Sequence, residues 1–97
     1  MNTEESVRLL VRTGSYVMGE KEVRELIKAQ EAKLVIFSKR FDEELLSMCE
    51  KNRIPSIKLA RTSMELGVIC GKPFPVSVIG VKEEGDSGIL AFRGANG

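Results

Sequence analysis

The sequence predicts an α/β layered sandwich in which helices cover both faces of a small, partly parallel sheet. Three observations carry that prediction. Segments with apolar residues at helical spacing alternate along the chain with short runs of strand length. One run, "KLVIF" at 33–37, is apolar and rich in branched side chains, as a strand covered on both faces must be. At 97 residues the chain is long enough for one core and too short for two, so it reads as a single domain spanning 1–97.

Val7, Leu10 and Val11 share one face of a first helix, which "TG" at Thr13–Gly14 closes with a glycine stop. A short extended piece, "SYVMG", leads to a second helix with Val23, Leu26 and Ile27 on one face. The central strand 33–37 follows. A third helix takes Asp42 as its cap and turns Phe41, Leu45, Leu46 and Cys49 inward. "NRIP" ends it, because Pro55 cannot continue a helix. "SIKLA" (56–60) alternates as a strand. "TSME" (62–65) is a capping box, in which Thr62 and Glu65 satisfy each other's free backbone donors. It opens a fourth helix of about three turns running into Gly71. "VSVIGV" (76–81) is the last strand, "KEEGDSG" a polar turn, "ILAF" a final helical turn, and "RGANG" a fraying tail.

Composition excludes several classes of protein. Hydrophobic content of 42% with 30% charged residues fits a soluble globular domain and not a disordered one. No apolar run approaches the roughly 20 residues that span a bilayer. The N-terminus opens with acids and lacks the basic-then-apolar order of a secretion signal, so cytoplasm is the expected compartment. Cys49 and Cys70 form no CxxC pair and are expected as reduced, buried thiols. There is no histidine, which removes the commonest general base and leaves too few ligands for a structural zinc site; no metal or cofactor is expected. The net charge of +1 lacks the basic excess of most nucleic-acid binders. A nucleic-acid partner would require the positive charge to be gathered on one rim.

Two stretches imitate catalytic motifs. "ELGVICGK" (65–72) resembles a phosphate loop, but its glycines are one residue too close and Pro73 stands where the magnesium-binding hydroxyl belongs. It also closes a helix, whereas a phosphate loop opens one. Gly71 and Pro73 fit a glycine cap followed by proline. Gly67 does not, because glycine inside a helix costs about 1 kcal/mol relative to alanine; something is expected to pack close against that turn. "GDSG" (85–88) matches a serine-protease nucleophile loop, yet no histidine exists to take the serine proton. The carboxylates of Glu43–Glu44 and Glu83–Glu84 are sequence neighbours that do not face each other, and read as solvated surface. No enzyme is expected. Loop and helix-start cations remain: Lys21, Lys39, Arg40, Arg61 and Lys72 can reach one rim of a layered sandwich and give it a local basic field. Phe74 beside them is balanced between a core residue and an aromatic that stacks on a base.

At these residues the chain resembles a known family. "TGSYVMGEKEV", "KLVIF", "TSMELGVICGKPFPVSVIGV" and "GDSGIL" follow one another as in the archaeal and eukaryotic large-subunit ribosomal protein L-thirty-e family, from about Val7 to Leu90. The resemblance implies a three-layer α/β/α sandwich with a small mixed, roughly four-stranded sheet. It also implies binding to kink-turns, sharply bent RNA helices with sheared G·A pairs. Carried over by position, Gly19 and Lys21 would contact RNA from the start of the second helix, and Glu22 would face a guanine edge. Glu65, Leu66 and Gly67 would line the wedge against bulged nucleotides, Lys72 would meet phosphate, and Phe74 would lie against a base or sugar. Arg40 departs from the family's frequent asparagine, Ser15 from its lysine, and Pro75 from its arginine, with Lys39 and Arg40 as compensating cations.

The expected function is therefore a non-catalytic RNA-binding protein of the large ribosomal subunit, monomeric when free, cytoplasmic and on the ribosome. Its partners would be a kink-turn-like element of ribosomal RNA and neighbouring large-subunit proteins. The rival readings are a kink-turn binder outside the ribosome, in another ribonucleoprotein or as a stand-alone regulator; a nucleotide-binding enzyme acting through Gly67–Lys72; and a protein-interaction module on the same fold.

Overall fold

In a computed structural model the described residues are Asn2 to Phe92. The tail expected to fray, 93–97, lies outside them. Helices and strands alternate as α1 (Thr3–Thr13), β1 (Ser15–Met18), α2 (Glu20–Lys28), β2 (Leu34–Phe37), α3 (Glu43–Lys51), β3 (Ser56–Lys58), α4 (Ser63–Ile69) and β4 (Val78–Glu83), followed by a 3-10 turn (Ile89–Phe92). Most helix starts are fixed by a side chain that accepts an otherwise unpaired N–H. Asn2 accepts from Glu5, Asp42 from Glu44, and Thr62 from Glu65. The last is the capping box read in the sequence, and its reciprocal bond from Thr62 N–H to the Glu65 carboxylate is 2.9 Å. α2 is different: it starts at Gly19, which offers no side-chain cap.

The sheet order is β1-β4-β2-β3. β4, last in sequence, sits between β1 and β2 and is antiparallel to both, while β2 and β3 are parallel. β2 is buried at all four positions, and its alternation divides the core. Leu34 and Ile36 pack with Val7 and Leu10 of α1 and Leu66 and Ile69 of α4. Val35 and Phe37 pack with Val23 and Ile27 of α2 and Leu45 and Cys49 of α3. Two hydrophobic layers separated by one sheet make the three-layer α/β/α sandwich.

Several details differ from the sequence reading, each for a local reason. α4 spans two turns instead of three, because Gly71 at φ 70° starts a Schellman turn. Gly71 N–H donates to Val68 O and Lys72 N–H to Gly67 O, both at 2.9 Å. β4 begins at Val78, not at 76, since Val76 N–H donates to Ser63 O and the Ser77 carbonyl accepts from Ser38. Gly14 closes α1 in extended backbone at φ −96°. Its requirement is space, as a Cβ would sit 2.6 Å from the Glu83 carbonyl oxygen. Phe41 belongs to the loop before α3, with its ring 4.9 Å from that of Phe37. "GDSG" is a structural turn: the buried Ser87 hydroxyl donates to Glu84 O at 2.6 Å and accepts from Ile89 N–H. Both cysteines are free and buried, and burial pushes each thiol up to about 11.

Candidate nucleic-acid interface

Strand directions decide which loops meet. β1, β2 and β3 run the same way and β4 runs against them. The segments leaving β1, β2 and β3 and the segment entering β4 therefore share one end of the sheet. Backbone hydrogen bonds stitch them together there. Gly19 N–H donates to Val78 O at 3.0 Å, Ser38 N–H to Ser77 O at 2.9 Å, and Lys39 N–H to Arg61 O at 2.6 Å. The chain leaves β2 toward the α2/α3 layer and β3 toward the α1/α4 layer, so the two exits diverge and open a crevice, as expected beyond the carboxyl ends of parallel strands. Lys39, Arg40, Thr62 and Ser63 line it.

The candidate residues lie on the segments at this end, within α4 and on the loop between α4 and β4, and their roles divide. Lys21, Lys39 and Arg40 are exposed and make no ion pair among the described residues. Gly19, at φ 99°, lets the chain turn sharply from β1 into α2 and leaves the first amides of α2 without a side-chain cap. Glu22 is exposed in the first turn of the same helix. Phe74 is 51% exposed, which rejects the core reading of that residue. Lys72, half-buried and without an ion pair, follows the end of α4, two residues from Phe74.

Four candidates are engaged by the protein itself. Leu66 is 0% exposed within the α1/α4 layer, so it supports the rim and offers no surface to a partner. Gly67 is buried as well, and a Cβ on it would collide with the Phe74 carbonyl oxygen. The close neighbour expected from a helical glycine is thus the chain's own returning loop. The Glu65 carboxylate closes the capping box, and the Thr62 backbone N–H followed by its hydroxyl holds it below the usual carboxylate range. Arg61 forms a two-pronged pair with Glu4, Nε to Oε1 at 3.2 Å and Nη2 to Oε2 at 3.1 Å. That contact raises the arginine and lowers Glu4.

The electrostatic pattern resolves the near-neutral net charge. Away from the rim, Lys28 pairs with Glu25, Lys33 with Glu83 and Lys82 with Glu31. Lys51 and Arg53 make no ion pair among the described residues, and Lys51 lies in the last turn of α3, where it complements the helix C-terminus. At the rim Lys21, Lys39 and Arg40 make no ion pair among the described residues, whereas Arg24 and Arg61 are paired, and the Lys58 ammonium lies 6.0 Å from the Phe41 ring. The surface also carries a feature that sequence reasoning missed. Met64 is 65% and Val68 76% exposed, one turn apart on the outer side of α4. Their spacing opposite the buried Leu66 and Ile69 was the available signal.

The sequence profile of the ribosomal protein L7Ae/L30e/S12e/Gadd45 family matches residues 1–91. The chain belongs to this family. Large ribosomal subunit protein eL30 of Methanococcus vannielii is 40% identical over 94 residues, covering 93% of this chain and 90% of its own length. The eL30 protein of Sulfolobus acidocaldarius is 34% identical over 93 residues, covering 92% and 89%. A solved structure from Bacillus halodurans C, described as a protein with unknown function, superposes with a TM-score of 0.78 at 30% identity over 93% of each chain. Within the L7Ae/L30e family this chain thus has the expected sandwich, and the described residues assemble no group of three or more metal-ligating side chains. No described helix is long and apolar enough to cross a membrane.

Proposed function

We propose that the chain is a structural, non-catalytic RNA-binding protein of the large ribosomal subunit, and that it grips a kink-turn-type bend along the rim just described. The supporting observation is that Lys21, Lys39 and Arg40, which make no ion pair among the described residues, lie on segments leaving the same end of the sheet, with the exposed Phe74 on the loop that leads back into β4. Lysine and arginine meet phosphates and supply the salt-dependent part of affinity. The uncapped amides at the start of α2 are a further phosphate partner. Phe74 stacks on an unpaired base, which a sharply bent RNA exposes and a straight duplex hides. Family membership and the eL30 relatives favour the ribosome as the setting.

The test compares binding of the purified chain to a kink-turn RNA and to a straight duplex of equal length. Preference for the bent RNA is expected, and equal affinity for the two refutes the kink-turn reading. Recovery of the chain in salt-washed large subunits is the companion measurement. Its absence from them, with RNA binding intact, moves the protein to a different ribonucleoprotein.

A further inference from the structure

The β2–α3 loop, 38–42, carries two of the rim cations, Lys39 and Arg40, and an ion pair stands behind each of its ends. At its start, Lys39 N–H donates to the Arg61 carbonyl at 2.6 Å, and the Arg61 side chain is locked to Glu4 of α1 by its two prongs. At its end, Asp42 accepts a 3.1 Å bond from Arg24 of α2 while its other oxygen caps α3. Among the described residues, the guanidinium Nε of Arg24 is buried without a hydrogen-bond partner. The Arg24–Asp42 pair is part-buried and links α2 to the end of the loop. Between the pins, the Ser38 hydroxyl donates to the Arg40 carbonyl at 2.9 Å and shapes the turn.

We infer that Glu4 and Asp42 are positioning residues for RNA binding: acting through Arg61 and Arg24, they hold the 38–42 loop so that Lys39 and Arg40 are preorganised at the crevice. The inference rests on the RNA-binding reading of the rim. It makes a prediction whose sign opposes simple electrostatics. Removing an acid from a protein ordinarily strengthens its attraction to RNA. Removing these two should weaken it, because the freed loop must be ordered again on binding, at a cost of roughly 2- to 10-fold in affinity.

The experiment uses the full chain and the kink-turn RNA, with Glu4→Gln, Asp42→Asn and the swap of Glu4→Arg with Arg61→Glu. Asparagine still caps α3, so Asp42→Asn removes the ion pair alone. Both single variants are expected to bind about 2- to 10-fold more weakly with an unchanged salt slope, because no phosphate contact is lost. The swap is expected to restore wild-type affinity. In the absence of RNA, the Lys39 amide is expected to exchange its proton faster in Glu4→Gln than in the wild type. Binding by the single variants equal to or tighter than wild type overturns the inference, as does a swap that stays weak with a shallower slope, which would make Arg61 a phosphate contact. A wild-type chain with no RNA affinity refutes the RNA reading and the inference together. An unchanged Lys39 exchange rate refutes the pin even if RNA binds.

Discussion

Gly67→Ala tests the seat on which the α4–β4 loop rests. Alanine is favoured over glycine inside a helix by about 1 kcal/mol, so an unobstructed substitution would stabilise α4. Here the new methyl group overlaps the Phe74 carbonyl oxygen and lies 3.2 Å from the Phe74 carbonyl carbon and 3.5 Å from Pro75 Cα. These are backbone atoms, which cannot rotate out of the way. The loop must retreat by about an ångström to restore ordinary contact, yet it is tied on both sides of the clash. Lys72 N–H is held by Gly67 O and Val76 N–H by Ser63 O, each at 2.9 Å. Overpacking of this kind costs about 1–3 kcal/mol, and a backbone obstacle puts it at the upper end. Subtracting the helix gain leaves a net loss of about 2 kcal/mol. For a domain of this size that corresponds to a fall in Tm of roughly 8–16 °C. Thermal and urea unfolding followed by circular dichroism measure it. A variant as stable as wild type, or more so, would show that residues 74–75 do not sit against α4.

Phe74→Ala is expected to leave unfolding nearly unchanged, because the side chain is 51% exposed, while weakening kink-turn binding by about 1–3 kcal/mol with an unaltered salt slope; unfolding of the domain would restore the core reading. Lys39→Ala and Arg40→Ala should each lower the magnitude of the salt slope by about one, read from affinities across a salt series; unchanged slopes would remove those side chains from the phosphate contacts. Thr62→Ala removes the hydroxyl half of the capping box, leaving the Thr62 N–H bond to the Glu65 carboxylate, and should cost about 1 kcal/mol in urea unfolding. The two buried thiols bind their protons more tightly when folded, moving from the ordinary 9.0 to about 11. Their contribution to stability is full below pH 9 and lost as pH rises through 11, so a Cys49→Ala/Cys70→Ala double variant should lose less stability than wild type between those values. Glu4 and Glu65 are shifted the other way. Their contribution holds above the ordinary 4.5 and disappears as pH falls through their lowered values, a decline that Glu4→Gln should soften in acid unfolding curves.

What could be read from the sequence was local, and what could not was the partner of each local signal. The alternation Leu34, Val35, Ile36, Phe37 announces a strand covered on both faces, and two separate core layers confirm it. Gly71 announces its Schellman turn because only the residues beside it are involved. Gly67 announces a close neighbour but not which one, since the neighbour is chosen by the path of a loop that leaves α4 and doubles back along it. Arg61 reads as a free cation because its partner Glu4 stands 57 residues away. Phe74 was balanced for a related reason. Its carbonyl is turned toward Gly67, so its side chain is left on the outer surface, and side-chain type carries no information about that orientation.

The same reasoning explains how a chain of net charge +1 can present a basic face. Net charge is a sum, whereas a polyanion responds to the local field, screened within about 8–10 Å at physiological salt. Glu25, Glu31 and Glu83 pair with Lys28, Lys82 and Lys33, and not with Lys39 or Arg40. At the rim, Asp42, Glu4 and Glu65 are engaged by Arg24, Arg61 and the α4 cap. These three acids are thus tied to structural partners, while Lys21 and Lys39 make no ion pair among the described residues. Reversing one distant pair, as in Lys33→Glu, changes the net charge as much as Lys39→Glu does. Only the second should abolish most RNA affinity at low salt. Equal losses from the two would mean that the total charge, and not its placement on this rim, governs binding.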